Sequence, residues 1–93
     1  MLEILRTKID AIDVEIVGLL KERCAVSKKI GDVKAAAGLP VADAKRETDV
    51  LRSVGSLAEC DAERLLLTGI YSLVLSASRD IQSRTAAAEL VTR

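Results

Sequence analysis

From Leu2 onward the apolar residues of this chain recur in alternating steps of three and four: Leu2, Leu5, Ile9, Ile12, Ile16, Leu19, then position 23, Val26, Ile30, Val33 and Ala37. That alternation keeps one apolar seam along a single long helix, here for about five heptads. Gly18 and Gly31 fall inside the pattern, each at about 1 kcal/mol relative to Ala. Gly38 then supplies a stop, and Pro40, the only proline, blocks continuation. The pattern predicts a helix over about residues 3–37, which at ~1.5 Å per residue spans roughly 50 Å. A compact chain of 93 residues has a radius of gyration of only ~12 Å and a diameter of about 30 Å. The helix therefore projects from any compact monomer with its seam in water. A second copy, related by a twofold, is the simplest cover, so an intertwined helical homodimer is expected. A sharply kinked first helix is the competing arrangement.

The rest of the chain also reads as helix. Asp43 is placed to cap a second helix over about residues 43–58, with Val50, Leu51, Val54 and Leu57 or Ala58 on its apolar face. Asp61 is placed to cap a third, over about residues 61–88, with Leu67, Ile70, Val74, Ala77, Ile81 and Ala88 along one stripe. No segment alternates with period two. The expected fold is all-α, as a single domain over residues 1–93.

Composition narrows the function. The 14 basic and 14 acidic residues cancel, and Tyr71 is the only aromatic residue. Nucleic-acid binding is not expected, because basic excess and stacking platforms are both missing. With no His and no CxxC, a zinc site and a His-based triad are not expected. Cys24 and Cys60 read as reduced, small core residues of a cytoplasmic protein. No apolar run approaches the ~20 residues of a membrane span, and no secretory leader is visible.

Charged residues stand where apolar ones belong. Arg23 interrupts the seam. A snorkelling arginine is the plain explanation, but Lys34, eleven residues on, returns to within about 20° of it, some 16 Å along the helix. Glu47 precedes Val50, Leu51 and Val54 on their own face. An acidic first-turn residue suits the helix dipole, yet this one points inward. Ser78 and Gln82 form an i,i+4 pair beside the third stripe; taken alone they read as its polar flank. Arg6 is seventeen residues from Arg23, about 25 Å along the helix, so one small ligand cannot touch both within a chain. If a twofold crosses the first helix near Val17–Gly18, Arg6 of one chain falls between Arg23 and Lys34 of the other. The set suits a small polyanion that carries a hydroxyl: Arg grips carboxylates, Lys faces an oxygen gaining charge, a carboxylate accepts from a hydroxyl and Gln donates.

In this order the residues resemble the all-helical chorismate mutases. The likeness runs through "LRTKIDAIDVEIVGLLKER", "KKIGDVKAAAGLPVADAKRE" and "LVLSASRDIQ". The family's Arg in the first turns is Arg6, its Arg after LL-x-x-R is Arg23, and its Lys before the loop is Lys34. Its D-x-x-R-E is Asp43, Arg46 and Glu47, and its S-x-x-x-Q is Ser78 and Gln82. The resemblance implies a cytoplasmic homodimer that rearranges chorismate to prephenate with no cofactor or metal, as a free-standing enzyme of phenylalanine and tyrosine biosynthesis. It implies that Arg6 of the partner chain, Arg23 and Arg46 hold the two carboxylates, with Ser78 assisting. Lys34 and Gln82 would flank the ether oxygen, and Glu47, helped by the Asp43 region, would take the ring hydroxyl. An isochorismate pyruvate-lyase of the same fold and a non-catalytic helical dimerisation module are the alternatives.

Overall fold

The computed structural model describes residues 1–92, apart from the side chains of Ala86 and of residues 88–92. It consists of three helices, α1 (Leu2–Ala37), α2 (Ala44–Ser56) and α3 (Asp61–Thr92), with no strand among the described residues. The all-α expectation holds. α1 is one unbroken α-helix of 36 residues, long enough at about 54 Å to fill most of the 58 Å axis of the molecule. The kinked alternative is therefore set aside. The radius of gyration is 16.6 Å, well above the ~12 Å of a compact chain this size.

Local chemistry sets the helix ends. Gly38 adopts φ 68°, ψ 25°, a left-handed conformation that costs any residue with a Cβ. This lets the Gly38 N–H reach the Ala35 carbonyl at 3.3 Å and the Leu39 N–H reach that of Lys34 at 2.8 Å, the paired bonds of a Schellman ending. Asp43 caps α2 as expected, its carboxylate accepting from the Arg46 N–H at 3.0 Å. Asp61 does not cap α3. The Cys60 carbonyl already accepts from the Arg64 N–H at 3.0 Å, so Asp61 lies inside the first turn and pairs with the Arg64 guanidinium. Glu63 reaches back instead to the Glu59 N–H at 3.0 Å.

α3 is the shared partner: α1 and α2 each pack on it and do not pack on each other. Gly31 lets α1 approach closely, because a Cβ there would stand 2.9 Å from the Gln82 Cα and 3.0 Å from the Thr85 Cβ.

Burial departs from the sequence pattern in three places. On α3 Leu67, Val74 and Ile81 of the expected stripe are half-buried, like Tyr71, while Ile70 and Ala77 are exposed; the most buried residues are Leu75, Ser78 and Gln82. The inward face thus keeps part of the apolar stripe and extends to a polar row beside it; Ala88 lies outside the described side chains. Cys24 and Cys60 are free and exposed rather than core residues: Cys24 lies on a face of α1 that no other element of this chain covers, and Cys60 lies in the connection just before α3. The α1 seam is exposed from Leu2 to Val33 apart from Arg23; the residues of α1 that pack inward are Arg23, Ser27, Gly31, Lys34 and Ala35. Among the described residues Leu75 is the only buried large apolar side chain.

Candidate active site

Because α1 and α2 both lean on α3 without touching, a cleft is left between them. Its volume is about 420 Å³, within the range of small-molecule sites. Seven of the eight residues singled out from the sequence line it: Arg23 and Lys34 from α1, Asp43 from the loop, Arg46 and Glu47 from α2, Ser78 and Gln82 from α3. Arg6 does not. It lies near the free end of α1, exposed, with Glu3 at 3.4 Å as its ion-pair partner.

Each wall is built by ordinary helical geometry. The α1 wall repeats at Arg23, Ser27 and Lys34, with Val26 and Ile30 supplying apolar surface, and Val50 and Leu75 complete the apolar floor. The Asp43 cap fixes the start of α2 and hence the direction in which Arg46 and Glu47 leave it.

Two hydrogen-bond networks order the polar groups. In the first, the Lys34 ammonium donates to the Gln82 Oε1 at 2.8 Å and to the Val41 carbonyl at 2.8 Å. Ammonium is a donor only, so the first bond assigns the Gln82 amide: its oxygen faces Lys34, and its NH₂ is left as a donor. In the second, Arg23 Nη1 donates to the Ser78 hydroxyl, and Ser27 donates to the same oxygen at 3.2 Å. With two donors on its oxygen, Ser78 keeps its own proton for a third group. The Arg23 guanidinium also lies 6.0 Å from the centre of the Tyr71 ring, close enough for a cation–π contact. Ser27, Ser78 and Gln82 are all buried, and none leaves a buried polar side-chain atom unpaired among the described residues.

The charge balance suits an anion. Arg23, Lys34, Arg46 and Arg79 stand against Asp43 and Glu47, a surplus of two positive charges. Glu47 is paired with Arg79, whereas the Arg46 guanidinium has no ion-pair partner among the described residues and is free to meet a ligand carboxylate.

Sequence reasoning missed Ser27, Tyr71 and Arg79. Ser27 had a faint signal, four residues from Arg23 and seven before Lys34 on the same face. Arg79 had none, because an arginine next to a polar pair on a helix reads as solvent-facing. Ser78 and Gln82 prove to be buried members of the site rather than the polar flank of a stripe.

Comparison with known proteins gives a family. The chorismate mutase type II profile matches residues 5–83, which include every cleft residue named here and Arg6. A bifunctional chorismate mutase/prephenate dehydratase of Aquifex aeolicus is 42% identical over 50 residues, 54% of this chain and 14% of the relative. A 3-dehydroquinate dehydratase of Pyrobaculum aerophilum is 33% identical over 78 residues, 84% of this chain and 23% of the relative. The chain thus spans under a quarter of either curated relative it matches. A solved structure, a conserved hypothetical protein from Pyrococcus furiosus, superposes with a TM-score of 0.72 at 38% identity, covering 87% of this chain and 93% of that one. The profile match spans all three helices and the cleft between them: the chain belongs to the chorismate mutase type II family.

Proposed function

We propose that the chain acts as a chorismate mutase, turning chorismate into prephenate by a [3,3] sigmatropic rearrangement on the route to phenylalanine and tyrosine. The observation that carries this reading is the cleft itself. It gathers cationic, hydroxyl and amide donors around a carboxylate acceptor, and it surrounds Lys34 and Gln82 as a hydrogen-bonded pair.

Under this reading Arg23, Arg46 and Ser78 hold the two carboxylates of the substrate. Gripping both favours the folded, chair-like conformer in which the bond-forming carbons meet, and such near-attack selection supplies much of the barrier reduction. As the ether C–O bond breaks, its oxygen gains negative character. The Lys34 ammonium and the Gln82 NH₂ answer that charge, and because they are already held in place little reorganisation is required. Glu47 accepts from the ring hydroxyl, steadied by the Asp43 cap at the start of α2. The rearrangement is intramolecular and calls for no covalent intermediate.

The working unit is proposed to be a homodimer. Exposed Leu2, Leu5, Ile9, Ile12, Ile16 and Leu19 make a continuous apolar face on α1, and an antiparallel crossing of two such faces is expected near Val17–Gly18. A crossing there brings Arg6 of the partner level with the gap between Arg23 and Lys34, as a third clamp on the carboxylates.

The test is direct. Purified protein is mixed with chorismate, loss of its ultraviolet absorbance is followed, and the product is identified. Prephenate is the expected product. Release of pyruvate would assign the lyase chemistry of the same fold instead, and no turnover by a folded dimer would overturn the proposal.

A further inference from the structure

We infer that Arg79 is a positioning residue that gives the site its selectivity for a hydroxylated ring: it holds one oxygen of the Glu47 carboxylate and leaves the other for the substrate. This inference rests on the mutase reading above.

The pairing is unlike the other ion pairs of the molecule. Glu3–Arg6, Asp49–Arg52, Asp61–Arg64 and Asp80–Arg84 each join residues three or four apart on one helix. Glu47–Arg79 alone among the described residues joins two helices, α2 and α3, and both partners line the cleft. The Arg79 side chain is 43% exposed and that of Glu47 24%, too open for the pair to contribute much to stability.

Its consequence is electrostatic order. Glu47 shares the cleft with Arg23, Lys34 and Arg46. An unrestrained carboxylate there could turn to Lys34 and cancel the charge proposed to face the ether oxygen. Arg79 Nη1 donates to Glu47 Oε1, which ties the carboxylate to α3 while Lys34 stays on Gln82 and Val41. A carboxylate has two oxygens and about four lone-pair sites, so the second oxygen remains an acceptor. The pair is neutral overall, and the positive surplus is kept for the substrate carboxylates.

The experiment measures binding of two rigid bicyclic ether diacids shaped like the rearranging substrate, one carrying the ring hydroxyl and one lacking it. Affinities are determined calorimetrically for the wild type, Arg79→Met, Arg79→Gln and Arg79→Lys, with helicity checked by circular dichroism. The wild type should prefer the hydroxylated diacid. In Met and Gln variants that preference should fall by about tenfold, the scale of a weakened charge-assisted hydrogen bond, while affinity for the deoxy diacid stays within about twofold. Arg79→Lys should restore part of the preference. Either folded variant decides the matter. An unchanged preference, or an equal loss for both diacids, overturns the role of Arg79 and leaves the mutase reading standing. A wild type that binds neither diacid overturns that reading and this inference with it.

Discussion

At the scale of single residues, Arg23, Lys34, Glu47, Ser78 and Gln82 are each held by a neighbour, while the Arg46 guanidinium is left open. Lys34 is the sharpest case. Its ammonium is anchored by Gln82 and by the Val41 carbonyl, so under the proposed reaction it would meet a developing charge without first being ordered. Lys34→Ala should cut kcat by on the order of 10²–10³-fold, as removal of one electrostatic donor does elsewhere, with KM changing much less; steady-state kinetics on chorismate would show it, and a near-normal kcat would contradict the assigned role. Ser27 acts more gently. It donates to Ser78, which under the proposed reaction leaves the Ser78 proton for the substrate. Ser27→Ala should raise KM a few-fold and cost about 1 kcal/mol of stability, measured by kinetics and by thermal unfolding together. Arg23 and Glu47 were visible in the sequence because each breaks an apolar pattern. Ser27 was marked only faintly, by its spacing from Arg23 and Lys34, and Arg79 not at all, because it breaks no apolar pattern and its partner Glu47 lies on another helix.

At the scale of elements, the site is set by how closely the helices approach. α1 and α3 approach closely at Gly31, and the atoms it meets belong to Gln82 and Thr85. On an isolated helix Gly→Ala is worth about 1 kcal/mol of stabilisation. Here the added methyl would sit 2.9 Å from the Gln82 backbone, which cannot rotate away, so the helices must part. Gly31→Ala should therefore be destabilising, by roughly 1–3 kcal/mol. Its loss of kcat should exceed its loss of substrate affinity, because the Lys34–Gln82 pair straddles that contact; a raised Tm would refute this account. Gly31 could be read from the sequence only as a tolerated interruption of the seam. The punctuation between elements was legible, since a left-handed glycine, a proline and an Asp cap are local events. The start of α3 was not: Asp61 is a good capping residue by type, but the chain entered the helix one residue earlier and bonded through Cys60.

At the scale of the whole molecule, the three-helix chain is a 58 × 26 × 13 Å rod with almost no apolar core of its own. Under the proposed dimer, Arg6→Ala and Arg23→Ala chains are each inactive alone, yet a heterodimer of the two retains one site with both arginines. Mixing them under proven subunit exchange should recover part of the wild-type activity, and no recovery would argue against a cross-chain Arg6. Sedimentation of the wild type should give the dimer mass. The sequence by itself determined the helices, because period, glycine and proline act within a few residues of themselves. It also marked out seven side chains that share one cleft. Only the tertiary structure decided which helix faces meet. Part of the apolar stripe of α3, at Ile70 and Ala77, stayed exposed, and a polar row carrying Ser78 and Gln82 turned inward beside Leu67, Val74 and Ile81. The physical reason is that a helical pattern specifies that a face must be covered, but not by what. Burial of Ser78 and Gln82 became tolerable only once Arg23, Ser27 and Lys34, more than forty residues away in the chain, were brought within hydrogen-bonding distance.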